Sequence, residues 1–219
     1  MKVAALQMVS GVQLEANLDQ ARQLLEQAAT AGAELAVLPE YFAAMGRRDE
    51  DKLLLRETLG DGPMQRFLAQ AARELGLWVV GGTLPLAGDD PARVYNSSLV
   101  YAPTGACVAR YDKIHLFRFD NGQEHFDEAR VIQPGRDSVR FALTARDGRV
   151  WQVGLSVCYD LRFPELYRVH ARAGADLLLV PSAFTWTTGR AHWELLLRAR
   201  AVENLAYVLA PAQGGTHEN

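Results

Sequence analysis

Residues 150–166 read VWQVGLSVCYDLRFPEL, an apolar run that leads directly into a cysteine and then into the start of a helix. The pattern predicts a strand over 150–157 and a helix over about 163–173. Open α/β sheets carry functional side chains at such strand ends, so Cys158 stands where a nucleophile would. Backbone N–H groups of the turn would stabilise a thiolate, and we expect the pKa of this thiol to lie below its free value of about 8.5. The alternative, a buried inert cysteine, is our interpretation of Cys107.

The rest of the chain alternates strands with helices. Helical spacing and end signals predict helices over 14–30, 63–75 and 191–204. Apolar runs predict strands over 3–8, 34–38, 77–84, 176–180 and 205–210, and hairpins that pair 94–101 with 106–114 and 139–143 with 150–157. We find no linker or repeat, which predicts a single domain over residues 1–219. The expected fold class is α/β, with strands that are covered by helices on one face and pack on each other on the opposite face.

Composition and charge restrict the partners of this chain. Of its 219 residues 49% are hydrophobic, and 23 basic against 26 acidic residues leave a net charge of −3 with no basic cluster. That balance argues against nucleic acid or an anionic membrane and favours a small-molecule partner. The most apolar stretches are broken by Gly or Pro far short of the roughly 18 residues of a membrane span. Two cysteines, without a basic and apolar leader after Met1, predict a cytoplasmic protein.

Two further ionisable residues stand at the ends of predicted strands. Glu40 lies in LAVLPEY at 35–41, where Pro39 forces the chain out of regular pairing. Lys113 lies in RYDKIHLF at 110–117, beside a long loop. Taken singly, Glu40 would be interpreted as a surface acid and Lys113 as a lysine whose ammonium group reaches water. We keep both as candidate site residues because they share the strand-end position of the cysteine.

His115 leaves a second chemistry open. It follows Lys113 by two residues on the same face of the predicted strand, so a Cys158–His115 pair of the thiol-protease kind is an alternative. The five histidines show no HExxH motif and no metal-ligand spacing with cysteine, so we expect no metal. The glycine pairs at 81–82 and 214–215 form no phosphate-binding motif and are interpreted as close-packing or turn glycines.

Together these segments resemble the nitrilase superfamily of carbon–nitrogen hydrolases. Its members carry a Glu after an apolar strand, a Lys in a Lys-x-His-Leu segment and a Cys in a Cys-Tyr-Asp-x-Arg-Phe-Pro-Glu segment. In this chain they are, in the same order, Glu40, Lys113 and Cys158. A fourth family glutamate is matched by Glu128 in FDEA at 126–129. The segments PSAF at 181–184, HWE at 192–194 and RARAVEN at 198–204 are similar to the Nit branch, and the resemblance spans residues 1–219.

The resemblance implies a four-layer α-β-β-α sandwich of the nitrilase type that forms a homodimer or a higher homo-oligomer. Family members normally continue beyond the segment that corresponds to QGGTHEN at 213–219, with a further strand hairpin and a tail. We therefore expect the C-terminal strands of the sandwich to be missing and the domain to be C-terminally incomplete.

The resemblance also implies a hydrolytic mechanism that needs neither a metal nor an organic cofactor. Glu40 would act as general base on the Cys158 thiol, which attacks an amide carbonyl and forms a thioester. Lys113 and the backbone N–H of Tyr159 would hold the oxyanion, and Glu128 would keep Lys113 and the substrate nitrogen aligned. Water activated by Glu40 would then release the carboxylic acid.

The same resemblance implies substrate-binding residues. Arg162 would bind a substrate carboxylate through its planar guanidinium, at the start of the helix that follows Cys158. An ion pair of Arg162 with Glu165 or Asp160 is an equally weighted alternative. Three further residues would line the pocket: Tyr41, Phe184 and Thr188.

The expected activity is hydrolysis of the terminal amide of a small carboxylate-bearing molecule. Deaminated glutathione is the first candidate substrate because of the HWE and QGG segments, and omega-amidase action on α-ketoglutaramate comes next. Nitrile hydrolysis is the alternative within the same class. A non-catalytic binding or scaffold protein and a cysteine redox protein are alternatives of other classes. Four retained site residues argue against the scaffold, and the lack of a CxxC motif argues against the redox protein.

Overall fold

Two β-sheets hold most of the strands in the computed structural model, which describes residues 1–218. The first sheet has the order β1 (Val3–Ala5), β2 (Leu35–Val37), β3 (Trp78–Val80), β5 (Val94–Tyr101), β4 (Leu84–Ala87), and β6 (Cys107–Asp112) pairs with β5. The first three strands run parallel, and β5 is antiparallel to its neighbours.

The second sheet has the order β12 (Tyr207–Leu209), β11 (Leu177–Leu179), β10 (Val150–Leu155), β9 (Arg140–Thr144). Its first three strands are parallel and β9 is antiparallel to β10. A separate two-stranded hairpin joins β7 (Arg118–Asp120) to β8 (His125–Asp127).

Five α-helices and two short 3-10 helices complete the described chain. The α-helices are α1 (Leu14–Thr30), α2 (Asp51–Leu54), α3 (Pro63–Leu75), α4 (Pro164–Arg172) and α5 (Trp186–Asn204), and the 3-10 helices are Glu128–Arg130 and Cys158–Arg162. Proline at the first position of α3 presets the helical φ angle, and Gly76 ends the helix with φ 62°, a left-handed conformation without cost for glycine.

Successive side chains of β2 face opposite sides of the first sheet, and this shows how the layers are arranged. Ala36 packs into one core cluster with Leu25 of α1 and Leu68 of α3. Leu35 packs into the other cluster with Val153 of the second sheet, because successive strand residues face opposite sides. The first sheet is therefore covered by helices on one face and by the second sheet on the other.

Helices α4 and α5 cover the outer face of the second sheet. Leu166 and Tyr167 of α4 are buried in the cluster that the two sheets share, and α5 packs against α4 and β12. The result is a four-layer α-β-β-α sandwich, which confirms the predicted fold class. Among residues 1–218, no helix has both the length and the apolarity that crossing a membrane requires.

The predicted elements agree closely where the apolar pattern is long and regular. The helices over 14–30 and 63–75 and the strand over 94–101 have the predicted bounds, and both predicted hairpins form. The single-domain interpretation of 1–219 and its C-terminal incompleteness remain predictions, and residue 219 lies outside the described residues.

Four expectations about local structure were wrong. The strand predicted over 77–84 is interrupted, because Gly82 has φ 46° and a Cβ there would collide with the backbone oxygen of Pro39. The helix predicted from 191 begins at Trp186, and the loop at 118–133 contains the β7–β8 hairpin. Cys107, which we expected to be buried, is exposed because it begins β6, where the neighbouring side chains of 106 and 108 are also exposed.

Candidate active site

Cys158 follows β10 at the first position of the 3-10 helix Cys158–Arg162, at the carboxyl end of a parallel strand. Its φ angle is 48°, and its backbone N–H donates to the carbonyl oxygen of Pro181 at 3.0 Å. A left-handed conformation costs about 1–2 kcal/mol for a residue with a side chain. The surrounding turn offsets this cost and buries the thiol, so that only 7% of the residue is exposed.

Glu40 approaches this thiol from the first sheet. It follows β2, and only 1% of its side chain is exposed. Oε2 accepts the backbone N–H of Ala183 at 2.8 Å, and Oε1 accepts from Lys113 Nζ at 2.9 Å. The strand exit at Pro39 therefore delivers a carboxylate to the interior, where it is held by donors from two other elements.

Lys113 follows β6 and is equally buried. Its ammonium lies 2.9 Å from Glu40 Oε1 and 2.9 Å from Glu128 Oε2. Burial by itself would lower the pKa of Lys113, but the carboxylates of Glu128 and Glu40 outweigh it, and the pKa is raised well above its ordinary value. The side chain is thus a permanent cation at neutral pH.

Glu128 begins the 3-10 helix Glu128–Arg130 at the end of the β7–β8 hairpin. Its Oε2 accepts the backbone N–H of Phe117 at 2.7 Å, and its Oε1 accepts the hydroxyl of Tyr41 at 2.8 Å. With Lys113 as a third donor, both carboxylate oxygens are occupied. Glu128 is therefore placed to orient the ammonium of Lys113 and has no free oxygen directed at the thiol.

The electrostatics of Cys158 differ from the sequence-based expectation. Burial and the negative charge of Glu40 raise the pKa of the thiol well above its ordinary value, and Lys113 opposes them only in part. The expected lowering of the pKa by turn N–H groups was wrong, because desolvation and a neighbouring carboxylate dominate. The thiol is protonated at neutral pH, so a base must remove its proton before it can act as a nucleophile.

These groups open onto one cavity of about 310 Å³. Its wall includes the expected Tyr41, Phe184 and Thr188 as well as Tyr159, Phe117, Ala183 and Thr185. The backbone N–H of Tyr159 has no acceptor among the described residues 1–218 and is free for a substrate oxygen. Four aromatic rings in the wall favour a substrate with a flat or apolar portion next to its reacting group.

Arg162 lies at the edge of this cavity rather than in its wall. It ends the 3-10 helix instead of beginning α4, and within residues 1–218 it forms no ion pair with Glu165 or Asp160. Its Nη1 lies 3.2 Å from His192 Nδ1, and its guanidinium lies 5.5 Å from the ring centre of Phe184. The guanidinium is therefore not neutralised by either carboxylate that we considered.

His115 does not pair with Cys158. Its Nδ1 lies 2.7 Å from Asp160 Oδ1, and its ring stacks on Phe163 with centres 3.7 Å apart. The thiol-protease alternative lacks its base, because the histidine is engaged elsewhere. Across the described residues 1–218, no group of three or more His, Cys, Asp or Glu side chains is arranged to hold a metal ion.

Sequence reasoning missed two side chains that hold the site together. Asn96 donates to Glu40 Oε1 at 2.9 Å from β5. Asp160, fully buried, accepts from Tyr111 Oη at 2.6 Å and from the backbone N–H of Val157 at 2.8 Å. The signal for Asn96 was the polar run at 96–98 within an otherwise apolar strand. Asp160 stands in the family segment that contains Cys158, but its contact with Tyr111, 49 residues away in the chain, could not be found from the sequence.

The carbon–nitrogen hydrolase family model matches residues 2–219, so this chain belongs to the carbon–nitrogen hydrolase family. Its members are hydrolases that act on carbon–nitrogen bonds other than peptide bonds. The chain is 41% identical to the deaminated glutathione amidase of Synechocystis over 98% of this chain and 78% of that protein. It is 41% identical to the human deaminated glutathione amidase over 98% of this chain and 65% of that protein. The omega-amidase NIT2 of Danio rerio is 37% identical over 91% of this chain and 70% of that protein.

Solved structures give the same family. The NitFhit protein of C. elegans superposes with a TM-score of 0.86 at 36% identity, covering 98% of this chain, and the chain spans about half, 52%, of NitFhit. Saccharomyces cerevisiae Nit3, a member of the nitrilase superfamily, has a TM-score of 0.85 at 31% identity, covering 99% of this chain and 76% of Nit3. An amidase mutant of Nesterenkonia sp. with acrylamide added at its active-site cysteine has a TM-score of 0.79 at 26% identity, covering all of this chain and 80% of the amidase.

Proposed function

We propose that this chain is an amidase that hydrolyses the amide bond between the keto acid and cysteinylglycine in deaminated glutathione through a thioester on Cys158. The observation that carries the proposal is the meeting of Cys158, Glu40 and Lys113 in one cavity, with the carboxylate 2.9 Å from the ammonium. The substrate is inferred from relatives that are about 40% identical over nearly the whole chain and are deaminated glutathione amidases.

In the first step, Glu40 removes the proton of the Cys158 thiol as the sulfur attacks the amide carbonyl carbon. A base is required because the pKa of the thiol is raised by burial and by Glu40 itself. The carbonyl oxygen becomes an oxyanion, which Lys113 and the backbone N–H of Tyr159 stabilise. Both donors are in position before the reaction, so little reorganisation opposes the transition state.

In the second step, the tetrahedral intermediate collapses and the carbon–nitrogen bond breaks. The protonated Glu40 gives its proton to the departing nitrogen, and the amine leaves a thioester behind: cysteinylglycine from deaminated glutathione, or ammonia from a primary amide. Glu40, again a carboxylate, then takes a proton from water, whose oxygen attacks the thioester. The carbon–sulfur bond breaks, the carboxylic acid is released and the Cys158 thiol is regenerated.

Substrate recognition in this proposal depends on Arg162 and three residues of the cavity wall. The guanidinium, free of both carboxylates considered above, would bind a substrate carboxylate in a bidentate manner. Tyr41, Phe184 and Thr188 lie on the cavity wall, where they would contact the chain between that carboxylate and the amide.

The substrate is tested by measuring release of the carboxylic acid from a panel of deaminated glutathione, α-ketoglutaramate and a small aliphatic nitrile. We expect the highest kcat/KM for deaminated glutathione. Preference for α-ketoglutaramate would favour omega-amidase action, which the zebrafish relative supports. Activity on the nitrile alone would contradict the amidase proposal, and no turnover of any compound would favour a binding or scaffold role.

The mechanism is tested with Cys158→Ala. We expect this variant to fold with a nearly unchanged melting temperature but to lose amide hydrolysis, because the thiol is the nucleophile and is small. Mass spectrometry of the wild type after brief mixing with substrate should detect an acyl adduct on Cys158. Cys107→Ala is the matched control, because that cysteine is exposed and has no role in the proposed mechanism. This variant should keep full activity. Amide hydrolysis by Cys158→Ala would refute the thioester.

The proposal includes a homodimer in the cytoplasm. Support for the dimer comes from large apolar side chains exposed on and after α5: Leu195, Val202 and Leu205 are 67%, 74% and 94% exposed. Leu195 and Val202 line one surface groove, and exposed apolar surface is typical of an association face. Light scattering coupled to size exclusion should report twice the chain mass, and Val202→Asp should reduce it to one chain. A monomeric wild type at micromolar concentration would contradict the dimer.

A further inference from the structure

Asn96 contacts three residues of the site, Glu40, Tyr41 and Lys113, although the sequence drew no attention to it. It lies in β5, where only 2% of it is exposed. Its backbone carbonyl oxygen accepts the N–H of Lys113 at 3.0 Å. The residue therefore sets the position of the Lys113 backbone before its own side chain is considered.

The side-chain nitrogen of Asn96 closes a ring of hydrogen bonds. It donates to Glu40 Oε1 at 2.9 Å and to Tyr41 Oη at 3.2 Å, which uses both of its hydrogens. Tyr41 donates its single proton to Glu128 Oε1 at 2.8 Å, so its oxygen can accept from the amide. Lys113 joins the two carboxylates from the other side. Every member of the ring is thus held from two directions.

The side-chain oxygen of Asn96 is buried and has no hydrogen-bond partner among the described residues 1–218. A buried polar atom without a partner lowers stability, and a leucine of similar volume would avoid that loss. The opposite orientation of the amide would set its oxygen against the Glu40 carboxylate, where two acceptors repel. An amide at this position is therefore explained by the two hydrogen bonds that its nitrogen donates, to Glu40 and to Tyr41.

The donors around Glu40 are divided unequally. Oε1 accepts from both Lys113 and Asn96, whereas Oε2 accepts the backbone N–H of Ala183. We propose that Asn96 is a positioning residue, which anchors Oε1 of Glu40 so that Oε2 carries the proton between Cys158 and the leaving group. The inference rests on the proposed role of Glu40 as the base.

The charge of the cluster explains why a neutral donor suits this position. The groups that face Glu40 are the Lys113 cation, the Glu128 anion and the neutral Cys158 and Tyr41. Aspartate at position 96 would have the same shape, but it would add a third carboxylate and supply no N–H. It would therefore favour the protonated form of Glu40, in which Glu40 cannot act as a base.

The test measures alkylation of Cys158 by iodoacetamide as a function of pH, in a Cys107→Ala background, beside kcat and KM for amide hydrolysis. We expect the midpoint of the alkylation profile to rise by about one pH unit in Asn96→Asp, and by less in Asn96→Ala. We expect kcat to fall about 100-fold in Asn96→Asp, with KM within about threefold of wild type, because general-base catalysis is impaired. Ser98→Ala is the matched control. Ser98 lies on the same strand, and its buried hydroxyl has no hydrogen-bond partner among residues 1–218. This variant should change neither the alkylation midpoint nor the kinetic constants.

Asn96→Ser serves if Asn96→Asp does not fold. It keeps one hydroxyl donor, and its alkylation midpoint should lie between those of the wild type and Asn96→Ala. Unchanged midpoints in folded variants would overturn the inference, as would losses of kcat that merely follow a lower melting temperature. A wild type without amidase activity would refute the proposed function. Alkylation of Cys158 needs no amide substrate, so the alkylation midpoints would still decide the role of Asn96.

Discussion

The Cys158 thiol is protonated at rest because it is buried beside a carboxylate, and this decides how the residue can be used. A low-pKa thiolate would react with any electrophile that entered the cavity. Here the pKa is raised, so the thiolate forms only when Glu40 takes the proton. The left-handed φ angle of 48° turns the thiol into the cavity, where the free N–H of Tyr159 also lies. The reactivity of the Cys158 thiol is thus controlled by the residues around it.

Arg162 tests substrate recognition at the residue scale. We expect Arg162→Ala to raise KM about tenfold or more for a carboxylate-bearing amide and less than about twofold for a neutral amide, because a bidentate charged contact is lost. Arg168→Ala, which removes an exposed arginine of α4, is the control for general loss of positive charge. Equal losses on both amides would mean that Arg162 supports the structure and does not bind the carboxylate.

At the scale of elements, Asp160 links the nucleophile turn to the lysine strand. Its carboxylate accepts from Val157 at the end of β10, from Tyr111 in β6, and from the backbone N–H of His115 at 3.0 Å. His115 Nδ1 adds a contact at 2.7 Å. The turn that holds Cys158 and the segment that holds Lys113 come from different sheets, so this residue aligns two halves of the site.

Asp160→Asn is predicted to lower the free energy of unfolding by about 3 kcal/mol, because an amide nitrogen cannot accept the hydrogen bonds that the buried carboxylate accepts. Chemical denaturation measures the change. Asp176→Asn is the control: that carboxylate accepts one backbone N–H, from Gln152 at 2.8 Å, and we expect a loss of about 1 kcal/mol. A similar small loss in both variants would show that the network around Asp160 does not join the elements.

Long, regular elements were predictable because their own residues decide them. The apolar spacing of α1 and the Pro63 and Gly76 signals of α3 act within one or two helical turns. The break in the strand predicted over 77–84 was not predictable, because its cause is the backbone of Pro39 packed against Gly82. The early start of α5 and the β7–β8 hairpin likewise lie in stretches without clear periodicity.

At the scale of the whole molecule, the sandwich buries many titratable groups without charge. Burial lowers the pKa of His170, and it raises the pKa values of Cys158, Tyr111 and Tyr167. All four shifts favour the neutral form in the folded state. The unfolded chain, in contrast, takes up or loses these protons at ordinary pH values, so stability must depend on pH at both ends of the range.

The melting temperature should be highest between about pH 6.5 and 8.5. Below about pH 6.5 the unfolded chain protonates His170 while the folded state does not, so stability falls as pH decreases. Above about pH 8.5 the unfolded chain ionises the thiol and then the phenols, so stability falls as pH increases. Differential scanning calorimetry measures both limbs. Tyr167→Phe should make the alkaline limb shallower, and a melting temperature constant from pH 7 to 10.5 would contradict the prediction.

The sequence by itself determined the α/β class, the main helices and strands, and the candidates Glu40, Lys113, Glu128 and Cys158, because strand-end positions and family motifs are local in the chain. Only the tertiary structure decided the protonation of Cys158, the partner of His115 and the contacts of Asn96 and Asp160. Each of these depends on burial and on atoms contributed by distant segments. Local sequence patterns indicate which side chains lie at strand ends. The dielectric environment and the hydrogen-bond partners of those side chains are set only when the two sheets pack together.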